Sequence, residues 1–353
     1  MKLLQLAQEL KSTQAALVLS EENRLYLTGF PSSNGTLLVT RDGNIFWTDS
    51  RYYEMACDAV EDAEVQLQDQ LYAQVHEQLQ KFGCTEILVE ASRMTLDTLN
   101  TWRKMLPSYS FNVSNRLDRL TDSLREVKTE AEAEKMQRAQ DIAEAALTEL
   151  LPLVKPGIAE RDLANELEYR MRRLGADGIS FDTIVVSGEN SSKPHGVPGE
   201  RLIQTGDFVT IDFGAIYRHY HSDCTRTFAV GQPTEEMVNV YETVKRAQQA
   251  GLDFLRAGIA GADLDRTARD VIREAGYGEY FGHSTGHGVG VEIHEHPYAG
   301  PKSEDFLTEG SVVTCEPGIY LPGKFGVRIE DFVLVTASGH RNFCHLTKDL
   351  IVL

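Results

Sequence analysis

The acidic side chains with the clearest potential for chemistry lie inside apolar segments. Asp212 interrupts the β-like run 209–213, and Asp223 lies in a second such run, 221–230. A hairpin centred on Tyr217 and Arg218 would bring these two carboxylates directly opposite each other, with Cβ atoms about 5 Å apart. Like charges at that distance are destabilising unless a proton or a cation lies between them. The pair therefore predicts a divalent metal site, with two exposed hairpin acids as the alternative.

The second half of the chain supplies two further acids in a similar setting. Glu316 ends the apolar run 311–315, and Glu330 lies in the run 326–335. Arg328 shares the face of Glu330 by the two-residue alternation of a strand. The pattern is equally compatible with a structural ion pair between Arg328 and Glu330 and with metal binding.

Four of the ten histidines lie in one glycine-rich segment, residues 283–296. The glycines make a helical pair of histidine ligands doubtful, and the segment has no HExxH motif. Histidines flanked by glycines are typical of loops that border a cleft. These four are His283, His287, His294 and His296.

The candidate metal ligands balance the charge of two divalent cations. Four carboxylates contribute four negative charges and one neutral imidazole completes the set: Asp212, Asp223, Glu316, Glu330 and His287. A set rich in oxygen, with one nitrogen and no thiolate, favours Mn²⁺ over a structural zinc cage. Co²⁺ and Zn²⁺ are the alternative ions.

The elements that position these residues fall into two predicted domains, 1–120 and 121–353. The first alternates short strands with helices, as expected of a mixed α/β domain. Its predicted strands are 15–19, 25–30, 37–40, 45–48 and 86–90, and its predicted helices are 70–82 and 95–106. The second opens with a long helix, which begins at a capping box of Thr129 and Glu132 and continues to Leu151.

The second domain contains an internal repeat. Gly157-Ile-Ala and Asp162-Leu recur at an offset of 101 residues as Gly258-Ile-Ala and Asp263-Leu. Further along, an offset of 104 aligns Asp212 with Glu316, and a weaker echo relates the His-x-x-Pro at His195 to that at His294. The repeat predicts two halves related by a pseudo-twofold axis, with equivalent acids meeting at a central site.

Composition excludes several classes of partner. The chain has 35 basic and 53 acidic residues, a formal net charge of −18, which argues against nucleic acids and anionic membranes as partners. No apolar run is long enough to span a membrane, and the first twelve residues are too charged for a secretory signal. The five cysteines are widely spaced and form no CxxC motif, which is typical of reduced thiols rather than of a disulfide framework. We expect a cytoplasmic protein.

The combination of motifs resembles the proline-specific metallopeptidases, prolidase and aminopeptidase P, over essentially the whole chain. The motifs are His195-Gly-Val-Pro, Asp212-Phe-Gly, Ser222-Asp-Cys-Thr-Arg-Thr-Phe228, residues 283–294, Glu316-Pro-Gly-Ile-Tyr320 and Gly326-Val-Arg-Ile-Glu-Asp331. The resemblance implies an α/β pita-bread catalytic domain from about residue 121, preceded by a smaller creatinase-like domain, and assembly as a homodimer. The five candidate ligands match the dinuclear metal ligands of the family.

The resemblance also implies which residues act on the substrate. His195, His283, His294, Glu316 and Arg328 occupy positions that match substrate-binding and catalytic residues of the family. The expected substrate is a proline-containing dipeptide or oligopeptide. A hydroxide that bridges two metals is the expected nucleophile, and it attacks the carbonyl carbon before proline.

Two other functions are compatible with the same motifs. Methionine aminopeptidases share the pita-bread fold and a similar Gly-His-Gly run, so a methionine or broad-specificity aminopeptidase is one alternative. A pita-bread module that binds peptides without turnover is the other. Within the proline-specific branch, the sequence leaves a dipeptidase and an aminopeptidase equally open.

Overall fold

The chain divides between Arg125 and Glu126 into two units with separate cores, in a computed structural model that describes residues 2–353. The elements of the N-terminal unit are α1 (Lys2–Gln8), β1 (Gln14–Val18), α2 (Glu21–Thr28), β2 (Thr36–Thr40), β3 (Asn44–Thr48), α3 (Tyr53–Ala59), β4 (Glu64–Leu67), α4 (Leu71–Lys81), β5 (Glu86–Val89), α5 (Leu96–Met105), β6 (Ser110–Asn112) and α6 (Arg116–Glu126).

The strands of this unit form one six-stranded sheet in the order β4-β3-β2-β1-β5-β6. The central strand β1 pairs antiparallel with β2 and parallel with β5, and its side chains are buried. Apolar residues of α4 and α5, among them Leu79 and Trp102, pack in the same core as sheet residues such as Trp47. The predicted strands 37–40 and 45–48 and both predicted helices are confirmed. The two strands pair as an antiparallel hairpin.

The predicted strand 25–30 is wrong, because residues 21–28 form the helix α2. Glu21 and Glu22 lie in its first turn, where negative charge stabilises a helix, and Gly29 ends it in the left-handed conformation with φ 72°. In a sequence, a short apolar run is compatible with a buried strand and with a buried helix. The flanking acids and the terminal glycine favour the helix.

The second unit contains four longer helices and thirteen short strands among the described residues. Its elements are α7 (Glu130–Leu150), α8 (Glu160–Arg173), β7 (Gly178–Ile179), β8 (Ile184–Ser187), β9 (Phe208–Phe213), β10 (Ala215–Tyr217), β11 (Tyr220–His221), β12 (Cys224–Ala229), α9 (Glu235–Phe254), α10 (Gly261–Glu274), β13 (Gly286–Gly288), β14 (Glu295–Ala299), β15 (Val312–Cys315), β16 (Gly318–Leu321), β17 (Phe325–Arg328), β18 (Asp331–Val335) and β19 (His340–Asn342).

The long helix that opens this unit begins where the sequence predicts. The capping box at Thr129 and Glu132 is present at the start of α7. Helix α9 packs on the sheets through residues such as Tyr241, whose ring lies 6.1 Å from that of Phe208. No helix within residues 2–353 is both long and apolar enough to cross a membrane.

The internal repeat is confirmed at the level of the backbone. Helices α8 and α10 are each 14 residues long, and both their ends are separated by the offset of 101. Two isolated strand bridges, Ala159 with Leu202 and Ala260 with Phe306, follow the same pair of offsets, 101 and 104. The sheets β12-β9-β8 and β14-β13-β15-β18-β19 contain the equivalent strands β9 and β15. Each half therefore presents a strand with an acid at or near its carboxyl end.

The predicted hairpin register differs from the structure by two residues. Asp212 pairs with Thr225, whereas Asp223 precedes β12. The turn consists of Arg218 and His219, both with positive φ (46° and 69°), instead of Tyr217 and Arg218. Two left-handed residues match the twist of the flanking strands even though neither is glycine. A shift by two keeps each side chain on its original face, so the two acids remain on one side.

Gly214 is the point where this hairpin tolerates no side chain. A Cβ atom there would lie 2.0 Å from the carbonyl oxygen of Ser222. We expect Gly214→Ala to lower the free energy of unfolding by about 1 to 3 kcal/mol, because the backbone must move to relieve the overlap. Gly282 has open space around it, so Gly282→Ala should stay within about 0.5 kcal/mol of the parent protein. Urea unfolding followed by far-UV circular dichroism measures both, and equal midpoints would contradict the prediction.

Candidate metal centre and active site

One cavity of about 460 Å³ in the second unit is lined by every site residue that the sequence predicts. These residues are His195, Asp212, Asp223, His283, His287, His294, Glu316, Arg328 and Glu330. They come from segments as far apart in sequence as 195 and 330, so the fold brings them together.

The candidate ligands lie at strand ends and breaks. Asp212 is in β9, Asp223 comes directly before β12, His287 is in β13, Glu316 directly follows β15, and Glu330 lies between β17 and β18. The predicted single strand 326–335 is therefore interrupted at residues 329–330. There the amide of Glu330 donates to the carbonyl oxygen of Thr225 at 3.1 Å. This bridge holds Glu330 against β12, next to Asp223.

Three side chains offer ligand atoms to a common point. One ligand atom from each of Asp223, His287 and Glu330 lies within 4.8 Å of the other two. His287 Nε2 is 3.6 Å from Asp223 Oδ2 and 3.5 Å from Glu316 Oε1. His287 Nδ1 donates to the carbonyl oxygen of Gly288 at 3.0 Å, which leaves Nε2 free to bind a metal ion.

Burial and mutual repulsion perturb the acids of this cluster. Burial, together with the charge of Asp212, raises the pKa of Asp223 well above its usual range. Burial and the charge of Asp223 do the same to the pKa of Glu330. Burial, opposed by Arg328, raises the pKa of Glu316 to about 8, and burial lowers the pKa of His287 to about 4. Without a cation, the cluster retains protons near neutral pH; a cation can replace them.

Asp212 provides the clearest indication that the site suits a metal ion. Its Oδ2 accepts a hydrogen bond from Arg328 Nη2. Its Oδ1 is buried and accepts no hydrogen bond from the described residues. A buried carboxylate oxygen without a donor is costly unless a cation fills that place. The donor set of four carboxylates and one imidazole fits divalent ions such as Mn²⁺.

Arg328 pairs with Asp212 and not with Glu330, its alternative partner in the sequence. Its Nη1 donates to Tyr320 Oη at 2.8 Å and to the carbonyl oxygen of Pro194 at 3.1 Å. Its Nε donates to Thr225 Oγ1 at 3.1 Å, and Thr225 in turn donates to Glu330 at 2.7 Å. A planar guanidinium can satisfy these directions together, whereas a lysine ammonium cannot.

Tyr320 is a contact residue that the sequence reasoning missed. Its hydroxyl lies 2.8 Å from His283 Nε2 as well as 2.8 Å from Arg328. His283 Nδ1 donates to the carbonyl oxygen of Ser284, so Nε2 accepts from the tyrosine. Strand β16 pairs Gly318 with Arg328, so two-residue alternation puts Tyr320 on the same face as Arg328.

Two further predicted histidines, His195 and His294, lie at the open part of the cavity. His294 packs its ring against that of His287, with centroids 4.3 Å apart, and both His294 and His195 are exposed. Apolar side chains complete the wall, among them Phe181, Ile184 and Ile293. The cavity therefore joins an acidic floor to a rim of imidazoles and apolar groups.

Two family descriptions match the chain. That of metallopeptidase family M24 matches residues 134–337, and that of the creatinase/prolidase N-terminal domain matches residues 1–127. The chain belongs to metallopeptidase family M24, which confirms the resemblance seen in the motifs.

Similar proteins cover the whole chain. An Xaa-Pro dipeptidase of Pyrococcus horikoshii is 36% identical over 343 residues, 96% of this chain and 95% of the relative. The solved structure of an Xaa-Pro dipeptidase from Bacillus anthracis is 39% identical, with a TM-score of 0.96 over 100% of this chain and 99% of that one. That of an X-Pro aminopeptidase from Thermotoga maritima is 35% identical, with a TM-score of 0.91 over 98% and 99%. The expected fold, a creatinase-like domain followed by the catalytic domain, is confirmed.

Divalent metal should stabilise the protein more as the pH rises from about 5 to about 8. In metal-free protein, the pKa of Glu316 is about 8 when folded, against an ordinary value of 4.5. The folded state then binds a proton that the unfolded state releases, so the free energy of unfolding falls across this pH range. A bound cation replaces that proton, so the free energy of unfolding no longer falls as the pH rises.

Thermal unfolding with and without Mn²⁺, after chelator treatment, measures this difference. The increase in Tm on adding Mn²⁺ should grow with pH and should be largely lost in Glu330→Gln. An increase that is the same at all pH values, or that persists in Glu330→Gln, would contradict the assignment of this cluster as the metal centre.

Proposed function

We propose that this member of metallopeptidase family M24 hydrolyses the peptide bond between an N-terminal residue and proline, using two divalent cations. The observation that carries the proposal is the convergence of five candidate ligands and three further histidines on one cavity. Relatives named Xaa-Pro dipeptidase and X-Pro aminopeptidase support the specificity for proline.

The metal ions would be held by the four carboxylates and His287. Asp223, His287 and Glu330 surround one point, and Asp212 and Glu316 border the same cavity. Mn²⁺ is the favoured ion, because hard oxygen donors predominate. When bound, the ions supply Lewis acidity, which lowers the pKa of water and polarises the scissile carbonyl.

Glu316 is the proposed proton shuttle. Its carboxylate is 17% exposed at the cavity, and its Oε2 lies 4.0 Å from His283 Nδ1. A carboxylate at this place can accept the proton of the attacking water and deliver it to the proline nitrogen. That nitrogen must be protonated to leave as a neutral amine. Arg328 would hold Asp212, a proposed metal ligand, in position through the guanidinium–carboxylate hydrogen bond.

The histidines and the apolar wall are proposed to bind the substrate. His195 would stabilise the oxyanion of the tetrahedral intermediate, while His294 and His283 would hold the proline side. An Xaa-Pro bond has no N–H, and its cis and trans forms differ by only about 0.5 to 1 kcal/mol. A wall shaped by side chains such as Phe181 and Ile184 can select the ring by contact alone.

Hydrolysis of paired peptides tests the function. We expect Mn²⁺-loaded enzyme to cleave Ala-Pro, Ala-Pro-Ala-Ala or both, and to cleave Met-Ala far more slowly. Chelated enzyme and the Glu330→Gln variant are the controls, and both should be inactive. Cleavage of the dipeptide alone would identify a dipeptidase, and cleavage of the tetrapeptide an aminopeptidase. Preference for Met-Ala, or no hydrolysis of any peptide by metal-loaded enzyme, would refute the proposal.

His294→Ala should lower kcat by about 100-fold while leaving the metal content unchanged. The imidazole borders the cavity but is not among the candidate ligands, so its loss removes a substrate contact only. Kinetics on the better of the two proline peptides, with metal analysis of the purified variant, measure both quantities. Loss of metal from His294→Ala would instead place this residue among the ligands.

A further inference from the structure

The segment that carries His195 is fastened at both ends to one buried carboxylate. Glu160, the first residue of α8, is fully buried. Its Oε1 accepts hydrogen bonds from the amide and the hydroxyl of Ser187, both at 2.7 Å. Its Oε2 accepts one from the amide of Gly199 at 3.2 Å. Ser187 and Gly199 bracket His195, so Glu160 fixes both ends of the segment 187–199.

A third donor comes from within the segment. Asn190 lies in the short 3-10 helix Gly188–Ser192, and its Nδ2 is 3.3 and 3.2 Å from the two oxygens of Glu160. Within the described residues, Glu160 forms no ion pair. Its charge is stabilised by N–H and O–H groups of this segment, and a buried carboxylate without them would be costly. The dependence is mutual, because those donors have Glu160 as their acceptor.

The equivalent helix of the other half uses a carboxylate for a similar purpose. Asp265 of α10 accepts hydrogen bonds from the amide and the hydroxyl of Thr285, at 3.0 and 2.9 Å. Its ion-pair partner Arg269 donates to the carbonyl oxygen of His283 at 2.7 Å. A buried acid near the start of each helix therefore holds a segment that carries a cavity histidine.

The two acids do not occupy equivalent positions. Gly261 stands where the repeat offset would place a counterpart of Glu160. A Cβ atom at Gly261 would lie 2.1 Å from the carbonyl oxygen of Tyr298, so no side chain fits there. The acid of the second half lies one helical turn later.

We propose that Glu160 is a positioning residue for His195. It holds the segment 187–199 so that the imidazole stays at the cavity, where the reaction proposed above needs it. The inference rests on that proposed function for its kinetic consequence only. The hydrogen bonds at Glu160 also make a prediction about the segment itself, which holds whatever the substrate.

The kinetic test uses Asn190→Ala, which removes the Nδ2 donor to Glu160 and the Oδ1 acceptor of Lys193 Nζ, and leaves the backbone donors in place. Ser192→Ala is the matched control, since Ser192 Oγ donates to the Glu189 carbonyl oxygen in the same 3-10 helix. We expect kcat on the proline peptide to fall about 10-fold in Asn190→Ala and about 100-fold in Glu160→Gln, with KM and metal content nearly unchanged. Ser192→Ala should match the parent enzyme.

A double-mutant cycle separates positioning from general destabilisation. In the His195→Ala background, Asn190→Ala and Glu160→Gln should cause no further loss of kcat, because the group they position is already gone. Losses that persist in full in that background would overturn the proposal. If Glu160→Gln fails to fold, the Asn190→Ala cycle alone decides.

Hydrogen–deuterium exchange tests the segment without any activity. Exchange should accelerate at least severalfold in peptides covering 187–199 in Glu160→Gln and Asn190→Ala, while peptides covering 283–288 stay unchanged. Unchanged exchange in 187–199, or acceleration throughout the second unit, would overturn the proposal. Should the parent enzyme hydrolyse no peptide, the proposed function fails, and this exchange comparison still decides the role of Glu160.

Discussion

Electrostatic repulsion among four carboxylates that share one cavity is the constraint on which the second unit depends. Asp223 and Glu330 are almost completely buried, and Asp212 and Glu316 are only 13% and 17% exposed. Such a group of acids is stable only if protons or cations compensate its negative charge. Arg328 donates a hydrogen bond to one of these acids, Asp212. The four negative charges together equal the charge of the two divalent ions that we propose. The free-energy cost of burying these acids together is the cost that the proposed metal ions would offset.

Duplication explains how one chain brings the acids together. Helices α8 and α10 begin 101 residues apart, and strands β9 and β15 begin 104 residues apart. Each half contributes an acid from an equivalent strand, Asp212 from the first and Glu316 from the second. The His-x-x-Pro segments contribute His195 and His294 to the lining of the same cavity. Two copies of one arrangement therefore supply more candidate ligands than a single copy could.

Much of this site could be predicted, because charged residues in apolar strands are rare and call for a partner. All nine predicted site residues line the cavity. The register of the β9–β12 pairing could not be predicted, since the turn uses Arg218 and His219 in a conformation that usually signals glycine or asparagine. The role of Glu160 could not be predicted from the sequence either. An acid at a helix start is already explained by the helix dipole, so its role as an acceptor for a distant segment stays hidden.

Gly261 limits how similar the two halves of the second unit can be. Glutamate at position 261 of this chain, the counterpart of Glu160, would collide with the carbonyl oxygen of Tyr298 in β14. The second half instead has its acid at Asp265, one turn further along α10. The halves have therefore ceased to be interchangeable. A glutamate at 261 would require changes in both α10 and β14, so packing keeps the two halves different.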